Sequence, residues 1–279
     1  MSQLLYPPTR PRSIAEVLDQ GVLIFKATLV KCLPYGVMAT LIGQLPNIYQ
    51  LARGRPMVGG DHALERFGAG DPVWWVLYVL AALGSIGLWS ALILRQHAVA
   101  SRQQADMGKE LREAVRRLFP MLLLLIIQAL MLMMLSGPVI YFTRQDVFRW
   151  VMLLPLLPAI YLLIGLLFSF FALLLTPRGP FGALAYSVRL TYGHWWRTLT
   201  VFIVMLMLVL VFYLLAATFA AMMVPLIGAG DIALVTAISS VVVVALGAVG
   251  TPFICAILLA QFIDLRVRRD GLDLEARMG

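Results

Sequence analysis

Long apolar runs alternate along this chain with short polar stretches that hold nearly all of its charges. Six such runs can be read: about residues 32–49, 73–94, 120–141 and 151–175, a fifth ending near Val224, and a last one over 232–263. A helix rising 1.5 Å per residue crosses roughly 30 Å of hydrocarbon in about 20 residues, so each run predicts a transmembrane helix. The last run is too long for a simple crossing. At about 48 Å it must tilt, kink or emerge, and Pro252, which removes a backbone donor, is the expected kink. The part after Pro252 is expected to reach or pass the cytoplasmic interface.

The polar stretches carry a second pattern. Phe181, Leu184, Val188, Tyr192 and Trp195 recur at steps of three and four, which predicts an amphipathic helix from Pro180 that feeds the fifth span. Ile14, Val17, Gly21 and Phe25 repeat this spacing, and so do Gly108, Leu111, Val115 and Phe119. Ser13 and Glu16 have the spacing of a capping box at the first of these helices. The expected fold is therefore all-α and polytopic, with six transmembrane helices in one domain, 13–263. It divides into three units, 13–95, 107–176 and 180–263, each an interfacial helix followed by a transmembrane hairpin. Residues 1–12 and 264–279 are expected to be cytoplasmic tails.

Composition narrows the class. At 61% hydrophobic and 13% charged residues, the chain is too apolar for a soluble domain. Its net charge of +8 would suggest nucleic acid if it covered a soluble surface, but here it is a topological signal. With six spans, seventeen of the 22 Lys and Arg residues fall on one side of the membrane. Positive charge is retained inside, which places both termini in the cytoplasm of a cell whose inner membrane holds the chain. The first residues lack the pattern of a cleaved signal peptide. Cys32 and Cys255 lie in apolar surroundings without metal-binding spacing and read as small core residues.

Candidate chemistry is sparse. The three histidines are scattered, and no hydrolase, redox or zinc motif occurs, so no catalytic, cofactor or metal site is expected. His194, Trp195, Trp196 and Arg197, with Arg189 nearby, form an aromatic and basic cluster suited to anchoring at the headgroup level. Arg266, Arg268 and Arg269 make a basic stop after the last span, and each basic residue near an anionic surface contributes roughly 1 kcal/mol. These residues are the candidate contacts to membrane lipid or to a protein partner. The 14 acidic residues all read as loop, tail or span-boundary positions, Asp264 being the nearest to a span, which disfavours a proton-coupled pump. Gln44, Gln128 and Gln261 are the largest polar side chains inside the spans, and interhelical hydrogen bonding is their expected role. A mid-membrane pocket lined by Gln44 and Gln128 would favour transport, and converging carboxylates and histidine near Trp195 would favour an enzyme.

The opening RSIAEVLDQGVLIFKATLVKCLP and the closing FIDLRVRRDGLDLE, with six spans between them, resemble the membrane domain of bacterial glycerophosphoryl diester phosphodiesterases and related six-helix families. In the fused enzymes of that family, catalysis belongs to a separate soluble barrel. No stretch of this sequence reads as that barrel, so the resemblance implies a membrane module beside a partner and does not carry the activity over. The resulting expectation is a non-catalytic inner-membrane scaffold or subunit that contacts anionic lipid or a partner through its interfacial helices. A transporter or facilitator for a small or lipid-like solute is the alternative. A reporter active only outside the cytoplasm should be active when fused near Gly60 and silent at Met107; the reverse pattern overturns this topology.

Overall fold

The computed structural model describes residues 11–53, 71–101, 103–104, 106–142, 156–227 and 232–270, and all regular structure among them is helical. Five helices are long and apolar enough to cross a bilayer, and a bent pair brings the number to six. The chain is an all-α, polytopic membrane protein.

The first and last of these helices form the axis of the bundle. Helix α1 (Ile14–Gly43) packs antiparallel along α10 (Ile232–Asp270). Missing side chains allow the approach. A Cβ on Gly21 would lie 2.8 Å from Ile257 Cα, and one on Gly36 would lie 2.5 Å from the Ala248 carbonyl oxygen. Val17 and Ile24 are fully buried against Ala256, Ile257 and Ala260. At 39 residues, α10 is about 58 Å long and continues past the expected boundary at Ile263. Asp264 and Arg268, four apart, pair along its last turns and favour that continuation.

The capping box at Ser13 and Glu16 is formed in both directions. The expected change from interfacial helix to span near Lys31 is absent, because α1 runs unbroken. Nothing between Lys26 and Leu33 supplies a cap or a glycine to end a helix, and Pro34 sits inside it. A turn at Gln44 leads into α2 (Leu45–Ala52), which packs on α3 (Pro72–Ala100). Asp71 caps α3 and accepts a hydrogen bond from Tyr49 at 3.0 Å while pairing with Arg53 at 3.1 Å.

The second and third units do show the expected break. Helix α4 (Met107–Arg116), capped by Asp106, turns by 51° at Arg117 into α5 (Leu118–Phe142). Helix α8 (Pro180–Thr191) starts on a proline and ends before Gly193, whose φ of +83° is the left-handed conformation that glycine tolerates. Helix α9 (Trp195–Ile227) follows. The fourth apolar run divides into α6 (Leu156–Leu166) and α7 (Ser169–Leu175), broken at Leu167–Phe168. The short helical turn that DHALERF (61–67) suggests in the loop after the first span lies outside the described residues.

Replacing Gly36 with Ala should lower the thermal midpoint in detergent, since the new methyl meets backbone and not a movable side chain; overpacking of this kind costs about 1–3 kcal/mol. Gly87→Ala, whose methyl would sit 3.7 Å from Leu118 Cδ1, should be nearly neutral, and equal effects would refute the close-packing account.

Candidate functional site

The amphipathic helices α4 and α8 present their apolar stripes outward. On α4, Met107, Leu111 and Val115 are exposed, while Glu110 and Ala114 are buried. On α8, Phe181, Val188 and the following Tyr192 are exposed, but Leu184 of the expected stripe is buried together with Ala183, Tyr186, Ser187 and Leu190. Each exposed half is itself divided. At about 100° per residue, Arg112 falls beside the apolar stripe of α4, with Arg116 and Lys109 further round the helix; Arg116 pairs with Glu113 at 3.7 Å and Lys109 with Asp106 at 4.0 Å. Arg189 falls beside that of α8, with Arg178 just ahead of the helix. An apolar strip edged by cations, on a helix bound to the bundle by its other face, is the form of an interfacial lipid contact. Phe119 and Trp196, both 75% exposed, extend the two strips beyond the bends. The matching stripe of α1 faces inward against α10, so the first unit has no such surface.

The buried faces of α4 and α8 carry polar groups beside small and apolar ones. Glu110 is 7% exposed; it pairs with Arg95 of α3 at 3.2 Å and accepts a 2.8 Å hydrogen bond from the Tyr35 hydroxyl of α1. Glu110 lies on α4, ahead of the span as expected, but it is buried there and not exposed. Arg117 at the bend reaches the Leu173 and Leu174 carbonyls at 2.5 and 2.8 Å, which are the open end of α7, and holds Glu113. Ser187 of α8 accepts from the Phe168 N–H at 3.1 Å and donates to the Gly165 carbonyl at 2.7 Å. Backbone freed by a break at membrane depth must find partners inside the protein, and Ser187 supplies them.

A second buried acid joins the ends of three elements. Asp264, 1% exposed, pairs with Arg197 at 3.0 Å and Arg268 at 2.9 Å and accepts from the Arg12 backbone N–H at 2.8 Å. Both arginines also donate to the Arg12 carbonyl. Asp270 accepts from Tyr186 and pairs with Arg189 at 3.6 Å and Arg266 at 3.9 Å. Burial, and then the bond it donates to Asp270, raise the Tyr186 hydroxyl above its ordinary pKa.

The candidate residues from the sequence thus separate. Arg197, Arg268 and Arg266 are occupied with carboxylates, while Arg269 and Trp196 are exposed and Arg189 is 59% exposed despite its partner. Trp195 stacks on Tyr161 of α6 with ring centres 5.6 Å apart. Asp264 and His194 do converge near Trp195, but the carboxylate is spent on two guanidiniums. Among the described residues, no group of three His, Cys, Asp or Glu side chains gathers as a metal site. Gln44 ends α1 and accepts from Asn47 at 2.8 Å, and Gln261 is buried with both amide atoms unpartnered among the described residues.

Gln128 alone of the three glutamines lines a cavity. About 270 Å³ lie between α3, α5, α6–α7 and α10, bounded by Trp89, Ile93, Leu132, Leu163, Phe171 and Cys255 among others. The Gln128 amide NH2 donates to Ser169 Oγ at 2.5 Å and to the Leu166 carbonyl at 3.3 Å, so it faces the break. A groove of about 290 Å³ lies between α1, α9 and α10, lined by Phe25, Tyr213 and Phe253 among others.

Comparison with known protein families, curated proteins and solved structures finds no match to this chain.

His194 lies beside this charged end. Its pKa is held below the ordinary 6.5, first by burial and then by the Arg268 and Arg197 charges. The folded state favours the neutral imidazole, so this contribution is complete above pH 6.5 and is lost as pH falls through the folded value. The thermal midpoint should therefore drop between about pH 7.5 and about pH 5.5, and His194→Gln should flatten that dependence. An unchanged slope would dismiss His194 as its source.

Proposed function

We propose that this chain is a non-catalytic module of a bacterial inner membrane, with both termini cytoplasmic, that engages anionic lipid through α4 and α8. One observation carries this reading: the exposed half of α4 and of α8 sets apolar side chains next to basic ones, while Glu110 and the hydroxyls of Tyr186, Ser187 and Thr191 are buried. A helix covering a soluble partner would have no need to separate its exposed half in this way. Hydrocarbon takes the strip, and anionic headgroups take Lys109, Arg112, Arg116 and Arg178. The buried carboxylates support the non-catalytic reading, because Glu110 and Asp264 are both neutralised by arginine and hydrogen bonds. The resemblance to phosphodiesterase membrane domains adds a role beside a protein partner, with the same belt as a platform.

A facilitator for a lipid-like solute is the second reading, favoured by the cavity at Gln128. It would require passage between leaflets, which a dithionite assay of fluorescent lipid in reconstituted vesicles detects directly.

The lipid reading is tested by purification into native nanodiscs and measurement of the anionic share of the retained lipid. Lys109→Glu, Arg112→Glu and Arg116→Glu together should reduce the enrichment of anionic over zwitterionic lipid, by up to roughly fivefold for each cation removed. These three side chains are exposed, and the ion pairs of Lys109 with Asp106 and of Arg116 with Glu113 are local to α4, so folding should survive. An unchanged lipid ratio in a folded variant would remove α4 from the interface.

A further inference from the structure

We infer that the cavity behind the α6–α7 break is a binding site for one hydrocarbon chain of a membrane phospholipid. It lies among membrane-spanning helices, and its lining is apolar apart from Gln128. Water is a poor occupant there. A buried water needs two to four polar partners, and the donors of Gln128 are already given to Ser169 and Leu166.

A helix from another protein is too large. One turn about 10 Å across and 5.4 Å tall fills about 420 Å³, against the roughly 270 Å³ present. A flexible chain of methylenes is thin enough, and apolar enough to satisfy the Trp89, Leu163 and Phe171 walls. The cavity is lined at and on both sides of the two-residue interruption of this span, by Leu166, Leu167 and Phe170.

The opening is defined by exposure. Trp89 and Leu163 are each 42% exposed, whereas Ile93, Phe171 and Cys255 at the back are buried. A chain enters between α3 and α6. Along α3, Trp89 stands between Gly87, which faces Leu118, and Arg95, which pairs with Glu110. Leu163 lies ten residues, about 15 Å, along α6–α7 from Leu173, whose carbonyl Arg117 holds at the α4–α5 bend, so the mouth is deeper than α4 and is reached by the chain of a phospholipid whose headgroup sits at the level of that helix. Chain binding does not require the basic residues of α4. The cavity is apolar whichever headgroup is outside, so the site is tested in neutral lipid, where loss of the anionic contact leaves the result unaffected.

The protein is reconstituted in phosphatidylcholine nanodiscs containing a small fraction of phosphatidylcholine with a mid-chain diazirine. After irradiation, adducts are located by peptide mass spectrometry. Labelling per residue over Leu163–Phe171 and at Leu132 should exceed that at the exposed α9 residues Leu214, Leu215 and Phe219 by about tenfold, equivalent to ~1.4 kcal/mol of preference. Leu163→Trp, which closes the mouth, should remove most of the cavity labelling and leave the α9 labelling as it was. Equal labelling of cavity and α9 in the wild-type protein would mean bulk lipid only and overturn the site. So would cavity labelling that persists in a folded Leu163→Trp protein. Should that variant not fold, the wild-type ratio decides alone.

Discussion

The pairing of α1 with α10 is the constraint on which the rest of the architecture depends. Within a bilayer, apolar surface gains nothing by leaving lipid for protein, so helices associate through close packing and interior polar contacts. Gly21 and Gly36 allow backbone contact along the length of the pair. At its end the Asp264 carboxylate joins Arg12, Arg197 and Arg268, adding the start of α9 to the same clasp. The acid has two guanidiniums and a backbone donor as compensation for its lost hydration, which is what a buried charge requires. Helix α3 then lies on α1, and α4 is tied to both through Glu110, Arg95 and Tyr35.

This order of attachment explains why α4 and α8 turn their polar residues inward. The core of the bundle has breaks and bends that leave carbonyls and N–H groups open, at Phe168 and at the end of α7. Ser187, Gln128 and Arg117 satisfy them from neighbouring elements. The apolar stripes of α4 and α8 are thereby left for the surface, which is the reverse of a soluble amphipathic helix. The inversion is affordable only next to lipid.

Periodicity made the helices legible, because long apolar runs and the capping box at Ser13 act locally. The orientation of α4 and α8 was not legible. A stripe such as Leu111, Val115 and Phe119 has the same spacing whether it faces core or lipid, and only the arrangement of neighbours decides. The signal that could have found Glu110 was its place opposite that stripe, one turn from Ala114 and two from Arg117, giving a second face that is small and charge-paired. Arg197 was read as a free headgroup contact, since its partner Asp264 lies 67 residues away. The unbroken α1 shows the converse: its sequence matches the other two units, yet contact with α10 keeps it straight and buries its stripe.

The break at Leu167–Phe168 ties these features together. An unbroken fourth span would satisfy its own backbone and leave Ser187, Ser169 and Gln128 without their present partners. Dividing it gives those side chains an interior role and separates α6 from α7. At this interruption lies apolar volume beside α3 that the protein's own side chains do not fill. In water such a void would tend to collapse. In a bilayer a hydrocarbon chain from the solvent can fill it instead, so the membrane becomes part of the packing. A broken span, inward hydroxyls and an apolar recess therefore form one arrangement, stable where lipid stands on the other side of Trp89 and Leu163.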